Sequence, residues 1–515
     1  MNQFKFWNNP WALSVTSGVF LGLSFPPFDL SILQIPALIC LFRLMQISTS
    51  WRQAIFYAYP SLVLWNLIVT YWLMMATVTG GIAAIVANAA IMLLPLLLIR
   101  SLFVSSMHPV LQALIATAAW ISYEFLHHHW DLAWPWLTLG NGWANLTGPI
   151  QYISVTGVHG ISFWVLFSAA LFYKYLEEPV KPLLYSGILV FLAFPVFSVL
   201  ATITAQKADG DPVEVAVIQP NSDSYVQYGG HGSVRYLLDH LLTLSSDVVT
   251  EKTDMILWPE NAIDTGLPMR NFYFDLISDS MRAWNTQLIT GSGFLEYFEE
   301  DNLPPVYRTT VNDRHYKIFN AAFQLTPDRE PVVYRKGKLV PFVERPPFLN
   351  FFAAADLLGL VDWGSQMGYG RGSEMVNLGV NGHSTPALIC YDSVFPSWVN
   401  RSVNKGAGFL AIITNDGWWG DSNGHLQHFA YARLRAIEQR RWIARSANNG
   451  ISGIISPDGK VQLQTEYWTE DAFTFTLYTN QQKTFYSRHG EWFGQLMVII
   501  AGSGLLMLII SGKRD

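Results

Sequence analysis

The sequence predicts an α-helical polytopic membrane domain joined to an α/β domain, and three observations predict it. Charge is the first. Of 32 basic and 38 acidic side chains in 515 residues, only eleven fall in residues 1–201. The second is a series of long apolar runs, several reaching the roughly 20 residues needed to cross a bilayer. The third is a change from Val213 onward to short β-rich runs alternating with helix-like stretches, the pattern of an α/β fold. Charged residues are 14% of the whole chain, against about 25% in a soluble domain. That division excludes both a plain cytosolic enzyme and a pure transporter. A net charge of −6 without a long basic run excludes nucleic acid as a partner.

Apolar runs at 9–25, 31–49, 54–74, 80–104, 109–126, 158–176 and 182–202 predict seven spans, and 491–511 an eighth. The chain therefore divides into a membrane domain (1–202), an α/β domain (203–490) and a C-terminal helix with a short tail (491–515). Loop charge orients it. Lys5, Arg43, Arg52, Arg100, Lys174 and Lys181, with Lys513 and Arg514, occupy alternate connections. The loops near 25–30, 74–80 and 127–157 hold no Lys or Arg. By the positive-inside rule both termini are cytoplasmic and 203–490 lies outside the cytoplasm. The first run reads as an uncleaved anchor, because no small-residue cleavage site precedes Phe25-Pro26-Pro27-Phe28. His127-His128-His129 in the long outer loop cannot share one face of a regular element, which argues against a metal site. Trp130, Trp134, Trp136 and Trp143 read as an interfacial aromatic belt.

In the α/β block, Val213–Ile218, Met255–Trp258, Leu288–Thr290, Ala387–Cys390 and Phe409–Thr414 read as strands. His425–Ala447 reads as an Arg-rich helix stopped by Asn448-Asn449-Gly450. Of the two cysteines, Cys40 lies in an apolar run and reads as packing. Any thiol chemistry therefore falls on Cys390. Three strand ends carry reactive groups: Glu260 in Trp258-Pro259-Glu260-Asn261, Lys336 after Tyr334-Arg335, and Cys390 in Leu388-Ile389-Cys390-Tyr391-Asp392. A carboxylate can deprotonate a thiol, and an ammonium can stabilise both a thiolate and an oxyanion. Each feature alone is commonplace.

Together the three segments resemble the Glu–Lys–Cys constellation of the nitrilase, or carbon–nitrogen hydrolase, superfamily, in that order and over nearly all of 213–480. Asn415–Ser422 and Asn448-Asn449-Gly450 fit the same pattern. With seven spans before and one after, the chain resembles the apolipoprotein N-acyltransferase family of Gram-negative bacteria. Phe25-Pro26-Pro27-Phe28, Pro135-Trp136-Leu137 and Gly157–Phe163 resemble that family's membrane segments. The resemblance implies a nitrilase-like αββα sandwich with Cys390 as nucleophile, Glu260 as general base and Lys336 as oxyanion stabiliser, aided by the backbone amide after Cys390. Glu344, Tyr391 and Asp392 take supporting places, and no metal or organic cofactor is implied. It implies ping-pong transfer of an sn-1 acyl chain, usually from phosphatidylethanolamine, through a thioester to the α-amine of an apolipoprotein's diacylglyceryl-cysteine. The setting it implies is the bacterial inner membrane, with a monomer whose catalytic domain is periplasmic. Trp418, Trp419 and Tyr391 suit the wall of a lipid-facing cleft, with core packing as an equal alternative. Two departures stand out: Asp392 replaces the usual Glu, and Val343 the usual Gly before Glu344. The competing enzyme reading is a membrane-tethered amidase with the same triad, for which seven spans are excessive. A scaffold with a degenerate domain would have lost a triad residue, and all three are present.

Overall fold

The computed structural model of the chain describes residues 6–204, 210–310, 313–355 and 368–511. Lys5, Lys513 and Arg514, used above for orientation, lie outside these residues. Every predicted apolar run is helical. The helices are α1 (Pro10–Leu23), α2 (Gln34–Ile47), α3 (Trp51–Thr70), α4 (Val78–Ile91), α5 (Leu93–Phe103), α6 (Pro109–His127), α7 (His159–Glu177) and α8 (Lys181–Thr204). Among the described residues, five stretches are long and apolar enough to cross a membrane: 51–70, 78–103 (α4 with α5), 109–127, 181–204 and the C-terminal 492–510. A sixth arises if α7 and the bent segment before it count as one span. The shortfall from eight has a local cause. At 14 residues each, α1 and α2 reach only about 21 Å. Helix α1 stops at Ser24, just ahead of a Pro-Pro pair that cannot donate backbone hydrogen bonds. Helix α2 stops where Ser48 turns extended and Ser50 caps α3. Helix α8 is apolar all round yet only 17% buried, the signature of a lipid-facing helix.

The α/β block is two stacked sheets. The first runs, in spatial order, β14 (Asp471–Tyr478), β1 (Pro212–Gln219), β2 (Met255–Leu257), β4 (Leu288–Phe298), β6 (His315–Leu325) and β5 (Arg308–Thr309). Strand β3 (Ile263–Leu267) pairs with β4, and β7 (Val332–Arg335) with β6. The second runs β13 (Val461–Gln464), β12 (Gly453–Ile455), β11 (Ile443–Ala447), β10 (Leu410–Thr414), β9 (His383–Ile389) and β8 (Asn377–Val380). Period-two geometry explains the layering. Val213, Val215 and Val217 of β1 enter the core between the sheets. Ala216 and Ile218 face out, onto α9 (Val234–Val248) and α10 (Phe272–Trp284). On the second sheet α11 (Pro396–Asn404) and α12 (Asn423–Gln439) form the outer layer. The order is helix, sheet, sheet, helix.

One expected helix is shorter than predicted. His425–Ala447 is helical only to Gln439, where Arg440 turns left-handed, and 443–447 is the parallel strand β11 beside β10. A strand buried on both faces shows no alternation, so it could not be told from helix. Its arginines are also core residues. Arg441 donates to the Ala407 and Gln482 carbonyls, and Arg445 to Asp416.

Two of the four tryptophans in the 127–157 loop do not form an exposed belt. Trp136 and Trp143 are 2% and 5% exposed, because the loop packs against the α/β block, while Trp130 stays exposed. Trp143 donates to Gln34, and Trp136 packs on Tyr391, Trp419 and Tyr431. The three histidines turn to different partners: His127 Nε2 lies 3.0 Å from Asn88, His128 Nε2 2.9 Å from Thr138, and His129 Nε2 2.9 Å from Glu491.

Gln427 on α12 pins the two blocks together. Its Oε1 accepts from the indoles of Trp72 (3.2 Å) and Trp136 (2.7 Å), and its Nε2 donates to the carbonyls of Pro26 (3.0 Å) and Val69 (2.9 Å). All four partners belong to the membrane block, and the side chain is fully buried. Replacing Gln427 by Leu keeps the volume but strands the Trp136 indole and the Pro26 carbonyl, while Trp72 keeps its bond to the Val69 carbonyl (3.1 Å). The expected cost is at least about 2 kcal/mol, read as a lower thermal midpoint of the detergent-solubilised protein, with Gln427→Glu not restoring it.

Candidate active site

The C-terminal ends of parallel strands converge here, where α/β sheets commonly place ligands. Glu260 follows β2, Cys390 follows β9, and Asn415 follows β10. Lys336 leaves β7 and is anchored by its backbone N–H on Asn320 of β6. The β2 turn lies against β4 so closely that a Cβ at Gly291 would sit 2.6 Å from Glu260 Cα, so only glycine fits.

Lys336 Nζ lies 3.2 Å from Glu260 Oε1 and 2.8 Å from Glu344 Oε1. Asn320 Nδ2 donates to both of these oxygens, at 2.7 and 2.9 Å. The second oxygens are also taken: Glu260 Oε2 accepts from the Asn415 N–H (3.0 Å), Glu344 Oε2 from the Val340 N–H (2.7 Å). All three charged groups are buried. Burial alone would discharge Lys336, but the Glu260 and Glu344 carboxylates hold its ammonium well above the ordinary lysine value. Burial lifts Glu260 above the usual carboxylate range, against the pull of Lys336 and with help from Glu344. Cys390 keeps some surface open. The protein packed around its thiol, and then the Glu260 carboxylate, hold it well above the usual thiol range. The resting state is thus a neutral thiol facing a carboxylate of raised basicity. Moving one proton from sulfur to Glu260 leaves the charge of the cluster unchanged beside a fixed cation.

Cys390 sits at φ +44°, a left-handed conformation that a non-glycine residue adopts only under constraint. Asp392 supplies that constraint. Its Oδ2 accepts from the Ile389 N–H (3.2 Å) and the Tyr334 hydroxyl (2.7 Å). Its Oδ1 accepts from the Gly337 (3.2 Å) and Lys338 (2.7 Å) N–H groups. The turn that carries the thiol is therefore tied to the turn that follows Lys336. Burial raises the Asp392 carboxyl to about 6, so it still accepts as a carboxylate at neutral pH. Aspartate, one methylene shorter than glutamate, reaches every partner here. Val343, the other departure, is exposed outside the carboxylate cluster.

Tyr391 is buried, with its hydroxyl donating to the Ala133 carbonyl (2.8 Å) and its ring on Trp134 and Trp136 of the membrane block. Trp419 is half-buried on Trp72, 4.7 Å between ring centroids. Trp418 stays 39% exposed, edge-on to Tyr225. Of the three aromatics expected to face lipid, only Trp418 presents substantial free surface.

The sequence did not point to Asn320, Tyr334 or the trio behind the nucleophile. Arg445 donates to Asp416 Oδ2 at 2.6 Å, His428 Nδ1 lies 3.0 Å from Asp416 Oδ1, and His428 Nε2 lies 3.3 Å from the Cys390 carbonyl. Cys390, Asp416 and His428 bring one ligand atom each within 4.8 Å of one another, spacing that a metal ion could use. Arg445 already supplies a positive charge to Asp416 there, which opposes a cation at the same place.

Residues 17–171 match the family model of the apolipoprotein N-acyltransferase N-terminal domain, and residues 214–483 match that of the carbon–nitrogen hydrolases. Over 98% of its length the chain is 32% identical to an apolipoprotein N-acyltransferase of Chlorobaculum tepidum, of which it covers 97%. The chain belongs to the apolipoprotein N-acyltransferase family. It is also 26% identical to the apolipoprotein N-acyltransferase of Thermotoga maritima, across 100% of this chain and 99% of that one. A carbon–nitrogen hydrolase superfamily protein of Xanthomonas campestris, solved by crystallography, aligns with 56% of this chain and 97% of its own at 17% identity and a TM-score of 0.37. The chain thus joins an N-acyltransferase N-terminal domain to a carbon–nitrogen hydrolase domain, and the strained cysteine turn offers a direct check here. Cys390→Gly should be more stable than Cys390→Ala by roughly 1 kcal/mol, because only glycine occupies the left-handed region freely. Thermal unfolding of the two variants measures the difference.

Proposed function

We propose that the chain transfers an acyl chain from a phospholipid, through a thioester on Cys390, to the N-terminal amine of a lipoprotein's diacylglyceryl-cysteine. The observation that carries this reading is the Glu260–Lys336–Glu344 cluster beside a cysteine turn whose next residue, Tyr391, is bonded to the membrane block. In the first half, Glu260 takes the Sγ proton as sulfur attacks the sn-1 ester carbonyl. The Lys336 ammonium and the Tyr391 backbone N–H stabilise the oxyanion. The ester C–O bond breaks, and the proton on Glu260 passes to the departing lysophospholipid. In the second half the lipoprotein amine attacks the thioester, gives a proton to Glu260, and the C–S bond breaks to regenerate the thiol. The enzyme itself stores the acyl group, so the scheme calls for no cofactor.

Phosphatidylethanolamine is the proposed donor and the monomer the working form. The proposed orientation puts the catalytic block in the periplasm and both termini in the cytoplasm. Two observations support it. The loop without Lys or Arg, 127–157, carries the seat of the catalytic block. Arg43 and Arg100 instead bond to Glu177 and to the Ser48 carbonyl, within the connections rich in basic residues. Lipid substrates favour this arrangement, since each buried CH₂ adds about 0.8 kcal/mol to membrane residence. A site held at the surface need not extract them.

Incubating the full chain with phosphatidylethanolamine should add one acyl mass at Cys390, removable by hydroxylamine, with release of lysophospholipid. Addition of a diacylglyceryl peptide should then discharge the adduct to the amine. Discharge to water alone would make the chain a hydrolase rather than a transferase, and Cys390→Ala that still acylates would refute the thioester. Because the pKa of Glu260 is raised and its base form is required, adduct formation should fall with acidification through a value above the ordinary glutamate pKa of about 4.3. Glu260→Gln should remove this limb and slow the adduct by roughly 10²–10⁴-fold.

A further inference from the structure

A cavity of about 250 Å³ opens beside the reactive cluster, between the outer loop of the membrane block and the turn after Lys336. His129, Asp131, Lys338, Arg371 and Ser373 line it, and Gly337, the neighbour of Lys336, forms part of its wall. Ala133, whose carbonyl holds the Tyr391 hydroxyl, forms another part, so the cavity adjoins both the lysine turn and the cysteine turn.

The charged groups pair off unevenly. Arg371 donates to Asp131 at 3.0 Å, and His129 lies 2.9 Å from Glu491. The Asp392 carboxylate is filled by its four donors. Lys338 is left: its ammonium lies over the Phe395 ring at 4.5 Å and, among the described residues, has no carboxylate or hydrogen-bond acceptor. This half-buried cation, with no bonded anion among the described residues, faces a cavity large enough to hold one.

We infer that this cavity is the subsite for the donor's phosphate, with Lys338 as its principal contact and Arg371 as a second. The inference rests on the phospholipid-donor reading above. The cavity reaches the lysine turn at Gly337 and the cysteine turn through Ala133, so a phosphate held here belongs to a lipid whose ester can lie at Cys390. Burial draws the Lys338 ammonium below its ordinary value in spite of Asp392 and Glu491, and a phosphate would reverse that pull. The hydroxyl of Ser373 adds a neutral donor, and Arg371 can fork between Asp131 and a phosphate oxygen.

The test measures thioester formation by the full-length protein in mixed micelles with two donors of identical chains, phosphatidylethanolamine and diacylglycerol. For Lys338→Met the expected result is an apparent KM for phosphatidylethanolamine raised roughly tenfold, no change in KM for diacylglycerol, and recovery by Lys338→Arg. Inorganic phosphate should compete with phosphatidylethanolamine in the wild type and lose that effect in Lys338→Met. Equal damage to both donors, or damage to neither, overturns the subsite. Competition by inorganic phosphate with an unchanged KM for phosphatidylethanolamine also overturns it, and makes the cavity a site for free phosphate. A wild-type protein that forms no adduct from any phospholipid refutes the donor reading itself, an outcome separate from these.

Discussion

A single buried ammonium between two buried carboxylates constrains everything around it. Taking such charges out of water costs several kcal/mol per ion unless each lone pair and proton finds a partner. Lys336, Glu260 and Glu344 meet that demand with one side-chain amide, Asn320, and two backbone N–H groups, Asn415 and Val340. These partners come from both sheets and from the turn beyond β7, so the cluster exists only when the sandwich is closed. The same shortage of polar partners sets the chemistry. Burial raises the basicity of Glu260, which makes it a base suited to a thiol rather than a surface carboxylate.

A second layer of polar groups holds the nucleophile in a backbone conformation that it would not choose. Asp392 gathers four donors from three segments, and one of them, the Tyr334 hydroxyl, is itself fixed by the Trp398 indole at 2.8 Å. On the other side, Ser393 and His428 engage the Cys390 carbonyl. The strain at φ +44° is local, and the cost is spread over a network that has other structural reasons to form.

The reacting groups were legible in the sequence because each follows an apolar strand, where a single charged or thiol side chain stands out. The two-block architecture was legible from charge density and hydropathy. What stayed hidden shares one cause: contacts between elements have no periodicity. Asn320 lies in mid-strand, with no motif about it. Arg445 fell inside an apparent helix, since a doubly buried strand has no alternation to separate it from one, and His428 lies on the true helix α12, where no motif marks its contact with Asp416. Trp136 looked like a membrane-interface residue because a tryptophan facing a docked domain and one facing headgroups read alike. The two short helices were overestimated because their apolar runs, 9–25 and 31–49, extend beyond the helical residues 10–23 and 34–47 at both ends.

Gln427 has a consequence for how such a chain can change over time. Both ends of its amide are satisfied only by groups from the other block, two indoles and two backbone carbonyls. A substitution at Trp72 or Trp136 removes one of the two donors to the amide oxygen, and a substitution at 427 strands the Trp136 indole and the Pro26 carbonyl. A half taken from another chain therefore has to bring matching groups to this seam, so the two blocks are not freely interchangeable modules.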